Sequence, residues 1–342
     1  MRLIILILFF TTVLKGQDVQ YSQIETTPAI LNPSLIGSMD RKVKLTAKYR
    51  SLWNSVLKDL GYQNYFASVT FKHCLDNNFL GGGISFQREQ LGNPQFYNTN
   101  IIFSISYHQM LNRNLFLGVG FNGSLMEYGF DVNTLQFDQQ FDGIGFNPSL
   151  NNLENFTTDR KMQPNIDLGM SLYNTENNWI LGFALFHLNQ PNFSFLDTFN
   201  DNSLGIGASA HGAITFYLDS WKKKSLLLRG IYRKQALFNN GHQWQFQGGA
   251  VLQLHRWEGT ETDWDFSIGL AARLTGNDAG QAFTLDAFIP SVNFSNDQFS
   301  IHFSYDTNVS SLAKSTMLRG AMEVTVTYAL GEQDNCIGCP IF

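Results

Sequence analysis

Residues 97–108 read Tyr97-Asn98-Thr99-Asn100-Ile101-Ile102-Phe103-Ser104-Ile105-Ser106-Tyr107-His108, and this stretch decides the fold. Successive side chains of an extended chain point to opposite faces. Tyr97, Thr99, Ile101, Phe103, Ile105 and Tyr107 therefore share one face, while Asn98, Asn100, Ser104, Ser106 and His108 share the other. Period-two alternation of this length signals a strand that is apolar on one side only. The pattern recurs on both sides of this stretch. Val43, Leu45, Ala47 and Tyr49 alternate with Lys44, Thr46, Lys48 and Arg50, and Tyr65, Ala67, Val69 and Phe71 with Ser68, Thr70 and Lys72. Further on, Ile166, Leu168, Met170 and Leu172 oppose Asp167, Gly169 and Ser171. Trp244, Phe246, Ala250 and Leu252 oppose Gln243, Gln245, Gln247 and Gln253, and Met322, Val324, Val326 and Tyr328 oppose Glu323, Thr325 and Thr327.

Alternating strands fit a soluble sandwich, with apolar faces meeting in a core, or a membrane barrel, with apolar faces meeting lipid. Aromatic residues recur at strand ends, at Tyr49, Tyr65, Tyr97, Tyr107, Trp179, Trp244, Trp264, Tyr305 and Tyr328, where an interfacial girdle places them. A tilted strand needs about ten residues to cross the hydrocarbon layer, and most segments have that length. Sandwich strands are usually nearer half of it. Glycines on the polar face (Gly81, Gly83, Gly118, Gly120, Gly169, Gly182 and Gly249) suit a crowded, curved interior. The expected fold is an all-β, transmembrane, antiparallel up-and-down β-barrel of about fourteen strands. They are drawn at 41–50, 65–73, 79–88, 97–109, 115–128, 164–173, 179–188, 205–218, 225–235, 243–254, 264–274, 281–290, 299–307 and 319–330. An even count puts both termini on one side. The links on that side come out short and the long ones fall opposite, as short periplasmic turns and long extracellular loops do.

The start of the chain agrees with export. Met1 and Arg2 precede an apolar run from Leu3 to Leu14 that is too short to span a bilayer as a helix, which marks a signal peptide cleaved after Gly16. The expected organisation is a signal peptide over 1–16, a periplasmic N-terminal segment over 17–40, the barrel over 41–330 and a periplasmic C-terminal tail over 331–342. Of the 342 residues, 14% are aromatic and only 15% charged, an excess of rings and a deficit of charge for a soluble domain. A net charge of −5 offers no basic stripe for phosphates and argues against nucleic acid. Nothing points to a cofactor or a metal. The seven histidines are scattered singly without ligand spacing, and Asp138, Asp142 and Asp159 lack the spacing of a calcium loop. Gly118-Val119-Gly120-Phe121-Asn122-Gly123 matches a dinucleotide fingerprint on paper, but strand period runs through it and no helix follows. No nucleophile motif is present, so the chain is read as carrying no catalytic residue. Cys336-Ile337-Gly338-Cys339 stands alone near the end, where a small local disulfide is the mildest reading; Cys74 has no evident role.

The loops on the long side are rich in phenylalanine, with Phe137, Phe141, Phe146 and Phe156 in one and Phe193, Phe195 and Phe199 in the next. Such rings either fold back over the barrel mouth or form an apolar surface that docks another protein. Phe137, Phe141, Phe146, Phe193, Phe195 and Phe199 are the candidate partner-binding residues.

Several strings resemble the PorP/SprF family of Bacteroidetes outer-membrane proteins: Gln17-Asp18-Val19-Gln20-Tyr21-Ser22-Gln23, Leu31-Asn32-Pro33-Ser34-Leu35-Ile36-Gly37, Tyr49-Arg50-Ser51-Leu52-Trp53, Ser304-Tyr305-Asp306 and Arg319-Gly320-Ala321-Met322-Glu323-Val324. The motif positions are Asn32, Pro33, Tyr49, Arg50, Trp53, Gly320 and Glu323. Structural roles suit them, with Pro33 in a turn, Trp53 at the interface and Glu323 inside the barrel. The resemblance implies a non-enzymatic outer-membrane component of type IX secretion and gliding motility. Its partners would be a large secreted adhesin-like protein, other type IX secretion components and the lipid bilayer. The rival reading is a transporter or pore for small solutes, in which Lys44, Lys48 and Arg50 favour anions unless the lumen is plugged and these charges are paired.

Overall fold

The computed structural model describes residues 20–333, apart from 58–60, 93–95, 132–134, 142, 144, 148, 151–157, 196–202, 237–241, 256–263 and 278–282. The signal peptide, Phe156, Phe199, Asp142 and the Cys336/Cys339 pair lie outside the described residues. Fourteen strands close on themselves: β1 Arg41–Leu52, β2 Tyr62–Leu75, β3 Asn78–Leu91, β4 Phe96–Met110, β5 Leu115–Gly129, β6 Arg160–Asn174, β7 Trp179–Phe186, β8 Gly207–Tyr217, β9 Lys224–Ala236, β10 His242–Leu254, β11 Asp265–Asn277, β12 Thr284–Ser295, β13 Phe299–Asn308 and β14 Arg319–Gln333. Every neighbour in the ring is antiparallel and next in sequence, and β1 closes on β14 with Lys48 opposite Thr325 and Arg50 opposite Glu323. Closure removes the free edges that an open sheet exposes.

The links on the side of β1's start are short, running from 76–77 to 255–264. The two longest, 130–159 and 187–206, lie on the other side. The alternation sets the faces as expected: Phe103 and Ile105 point outward, 53% and 57% exposed, while Asn98, Ser104, Ser106 and His108 are buried inside. β7 stops at Phe186, two residues short of the expectation, because His187 takes a left-handed φ of 57° that breaks the ladder. β12 continues through Pro290 to Ser295. Its pairing with β13 lapses at Ile289 and Pro290, where proline has no N–H to give. β14 runs to Gln333, into what the sequence assigned to the tail.

The largest departure is the N-terminal segment. Residues 20–39, expected beside the barrel on its periplasmic side, fill the lumen instead. They form a 3-10 turn Ile24–Thr26, a helical turn Pro28–Leu31 and a second 3-10 turn Pro33–Leu35. Tyr21, Ile24, Leu31 and Leu35 pack on the inward-facing Phe66, Phe116, Tyr173, Ile180, Leu227 and Ile231. The lumen wall is thus not polar throughout; it carries an apolar zone that the plug covers. Burying a side chain of this size stabilises by about 1.5–3 kcal/mol, which favours the segment staying inside.

Candidate functional site

Two sets of contacts hold the plug. The first is a charge cluster in the long-loop half of the lumen, built by β1 and by β10 to β14. Glu323 accepts the backbone N–H of Ser22 at 2.8 Å and of Gln23 at 2.9 Å, one on each carboxylate oxygen. Lys48 Nζ bridges Glu323 at 3.0 Å and the Gln23 carbonyl at 2.6 Å. Arg50 contacts Glu323 at 3.3 Å and Asp306 at 3.0 Å, and its guanidinium also donates to Ser22 Oγ. Arg273 contacts Asp306 at 2.8 Å and Asp286 at 2.7 Å. Gln247 donates to the Ser22 carbonyl at 2.6 Å. The wall therefore grips Ser22–Gln23 largely by backbone groups, and each buried charge meets an opposite one, as a low-dielectric site requires. Tyr21 lies beside this cluster with Lys48 over its ring at 4.6 Å.

The second set lies lower and across the barrel. Asn32 Nδ2 donates to the Met170 carbonyl at 3.0 Å and meets His211 Nε2 at 3.1 Å, while its Oδ1 accepts Ser34 N–H at 2.9 Å and so caps the Pro33–Leu35 turn. Ser106 Oγ donates to the Ile36 carbonyl at 2.5 Å. Glycines make this approach possible. A Cβ at Gly169 would strike Asn32, at Gly120 the Pro33–Ser34 peptide, at Gly81 the Ile36 carbonyl, and at Gly182 first His211 of the wall and then Asn32. The inward glycines were read as a response to barrel curvature. At Gly81, Gly120 and Gly169 the nearest crowding comes from the plug.

Four of the seven motif residues take part in this arrangement. Asn32 and Pro33 sit on the glycine track, and Arg50 and Glu323 form the charge cluster. Trp53 and Gly320 meet at the rim, where Trp53 N–H donates to the Gly320 carbonyl at 3.1 Å. Tyr49 faces outward against Tyr65, with ring centroids 5.3 Å apart. Asp306, Gln247 and Ser22, essential to the cluster, were not singled out among the site residues because no local pattern distinguishes them from other lumen-facing polar groups.

The phenylalanines divide. Phe193 is fully buried against Met126, Leu204 and Tyr128, and Phe195 lies edge-on to Phe130 at 5.1 Å, so these two fold back over the mouth. Phe193 offers no surface to a partner. Phe141 and Phe146 remain 51% and 38% exposed and pack on one another at 5.5 Å, with Phe137 partly covered nearby.

Ser225, His255 and Asp265 form a hydrolase-like array on the short-turn rim, with Ser225 Oγ to His255 Nε2 at 2.9 Å and His255 Nδ1 to Asp265 at 3.2 Å. Ser225 is fully buried, and its hydroxyl also donates to Gln253 Oε1 at 2.8 Å. Among the described residues no group of His, Cys, Asp and Glu comes together as a metal site. Cys74, near the end of β2, is disulfide-bonded and so does have a structural role.

A closed fourteen-stranded barrel with a lipid-facing apolar exterior and an internal plug is an outer-membrane protein of the β-barrel class. Within that class, residues 13–328 match the family described as "Type IX secretion system membrane protein PorP/SprF", and the chain belongs to this family. No curated protein matches it. Among solved structures, a TodX monoaromatic hydrocarbon channel deletion mutant is similar at 10% identity and a TM-score of 0.51, covering 89% of this chain and 93% of that one. The CymD monoaromatic hydrocarbon channel matches at 12% identity and 0.47 over 90% and 94%, and a Pseudomonas aeruginosa FadL homologue at 12% and 0.47 over 89% and 94%. At these identities the TodX likeness shows the shared fold alone.

Proposed function

We propose that this protein is a non-enzymatic outer-membrane component of type IX secretion and gliding motility that helps to export or attach a large secreted, adhesin-like surface protein. The observation that carries the reading is the plug. Residues 20–39 occupy the lumen and the Phe193 loop folds over the mouth, which leaves the outer loops as the working surface rather than a solute path. The exposed Phe141–Phe146 pair on the longest loop, with Phe137 beside it, supplies the apolar contact that a protein partner buries. Affinity isolation from native membranes tests this: the wild-type protein should bring down a large secreted protein and further secretion components. A Phe141→Ser/Phe146→Ser variant should lose the secreted protein while its barrel still assembles. Unchanged capture by that variant would remove the loop from the interface, and recovery of a solitary barrel would remove the function.

The rival reading, a small-solute pore, rests on the cationic wall residues Lys44, Lys48 and Arg50. Lys48 and Arg50 are buried in ion pairs with Glu323 and Asp306. Silence of the native protein in planar bilayers is the outcome expected of a plugged scaffold.

A further inference from the structure

The route of residues 20–41 gives the plug a direction. Its inner end is tied down: the Met39 carbonyl accepts Lys72 Nζ at 3.0 Å near the short-turn end of β2, and the chain runs directly into β1 at Arg41. Ile36 lies against Ser106 and His108, near the short-turn end of β4. Asn32 sits higher, at Gly169 and Gly182 in β6 and β7. Ser22 and Gln23 reach Glu323 and Lys48 in the long-loop halves of β14 and β1. Gln20 Nε2 donates to Gln235 Oε1 at 3.2 Å, one residue from the long-loop end of β9. From Met39 back to Gln20 the segment climbs from the short-turn rim to the long-loop rim.

We infer that the plug is a strap whose upstream part rises to the extracellular mouth, so that Gln20 is presented to the outside of the cell, opposite the rim where β1 begins and β14 ends. The inference rests on the outer-membrane placement with the long loops outward. Its consequence concerns the partner. A protein docked over the outer loops meets the start of the strap as part of the same surface and can draw it outward past Glu323. The periplasmic rim holds the other end of the described strap, at Met39 and its short link into β1.

An epitope inserted between Val19 and Gln20 in the full chain tests this, with the same epitope inserted after Ser149 in the longest loop and after Asn177 in a short turn as references. Antibody binding is read on intact and on permeabilised cells, and heat-modifiable gel migration confirms that each barrel has folded. The expected result is a surface signal from the Gln20 insertion comparable to that from Ser149, with Asn177 silent until permeabilisation. Detection of the Gln20 epitope only after permeabilisation, while Ser149 is read from outside, overturns the inference and leaves the barrel's orientation standing. The reverse pattern, with Asn177 exposed and Ser149 hidden, overturns both.

Discussion

Replacing Glu323 by alanine removes the carboxylate that holds the strap by two backbone N–H groups and balances two cations. The lost contacts are those to Ser22 at 2.8 Å, Gln23 at 2.9 Å, Lys48 at 3.0 Å and Arg50 at 3.3 Å. Hydrogen bonds to a charged group are worth roughly 1.5–3 kcal/mol each, and removing one partner of a buried ion pair costs about 3–5 kcal/mol. These terms describe overlapping contacts and do not add. The penalty falls mainly on the plugged state, since water entering an open lumen would hydrate Lys48 and Arg50. A net shift of about 4 kcal/mol, near a thousandfold in population, follows at 1.4 kcal/mol per tenfold. Fourteen strands about 4.8 Å apart and tilted by about 40° enclose a backbone radius of about 14 Å, so a vacated lumen conducts. Single-channel recording in planar bilayers should show frequent openings of Glu323→Ala against a quiet native protein, and protease should reach residues 20–39. Glu323→Met combined with Lys48→Met should recover part of the closure, because an apolar pair leaves one fewer unbalanced charge. A silent Glu323→Ala barrel with a fully protected strap would refute the clamp.

Two further outcomes follow from the same geometry. Gly169→Val places a branched side chain where Asn32 lies and should loosen the strap by roughly 1–3 kcal/mol; proteolysis of residues 20–39 should accelerate while barrel heat resistance holds, and unchanged protection would mean that the glycine track has slack. Ile105→Lys puts a charge on the outward face in the middle of β4 and should cost about 2–4 kcal/mol of membrane folding. Urea titration of folding into liposomes measures it, and no change in midpoint would contradict the lipid-facing assignment.

The barrel was legible because its signal is local. In β4 and β1 each residue's face follows from its immediate neighbours, and lipid on one side against a filled lumen on the other imposes the alternation strand after strand. Glu323 could be placed inside from that phase alone. Its partners could not, since nothing in the sequence near Ser22 or Asp306 records that they converge on it.

The sequence by itself determined the strand number, the two faces and the sidedness of the loops, since each depends on period and length within a few residues. Tertiary structure alone decided the state of the lumen. Residues 20–39 have no sustained periodicity and read as part of a periplasmic N-terminal segment. They become a plug through contacts such as Ser22 with Glu323 and Gln20 with Gln235, some 301 and 215 positions apart in the chain. It also decided which phenylalanines serve the protein's own packing. Phe193 and Phe141 look alike in sequence, and only the closed mouth, with Met126 and Leu204 waiting inside, buries one and leaves the other in the open.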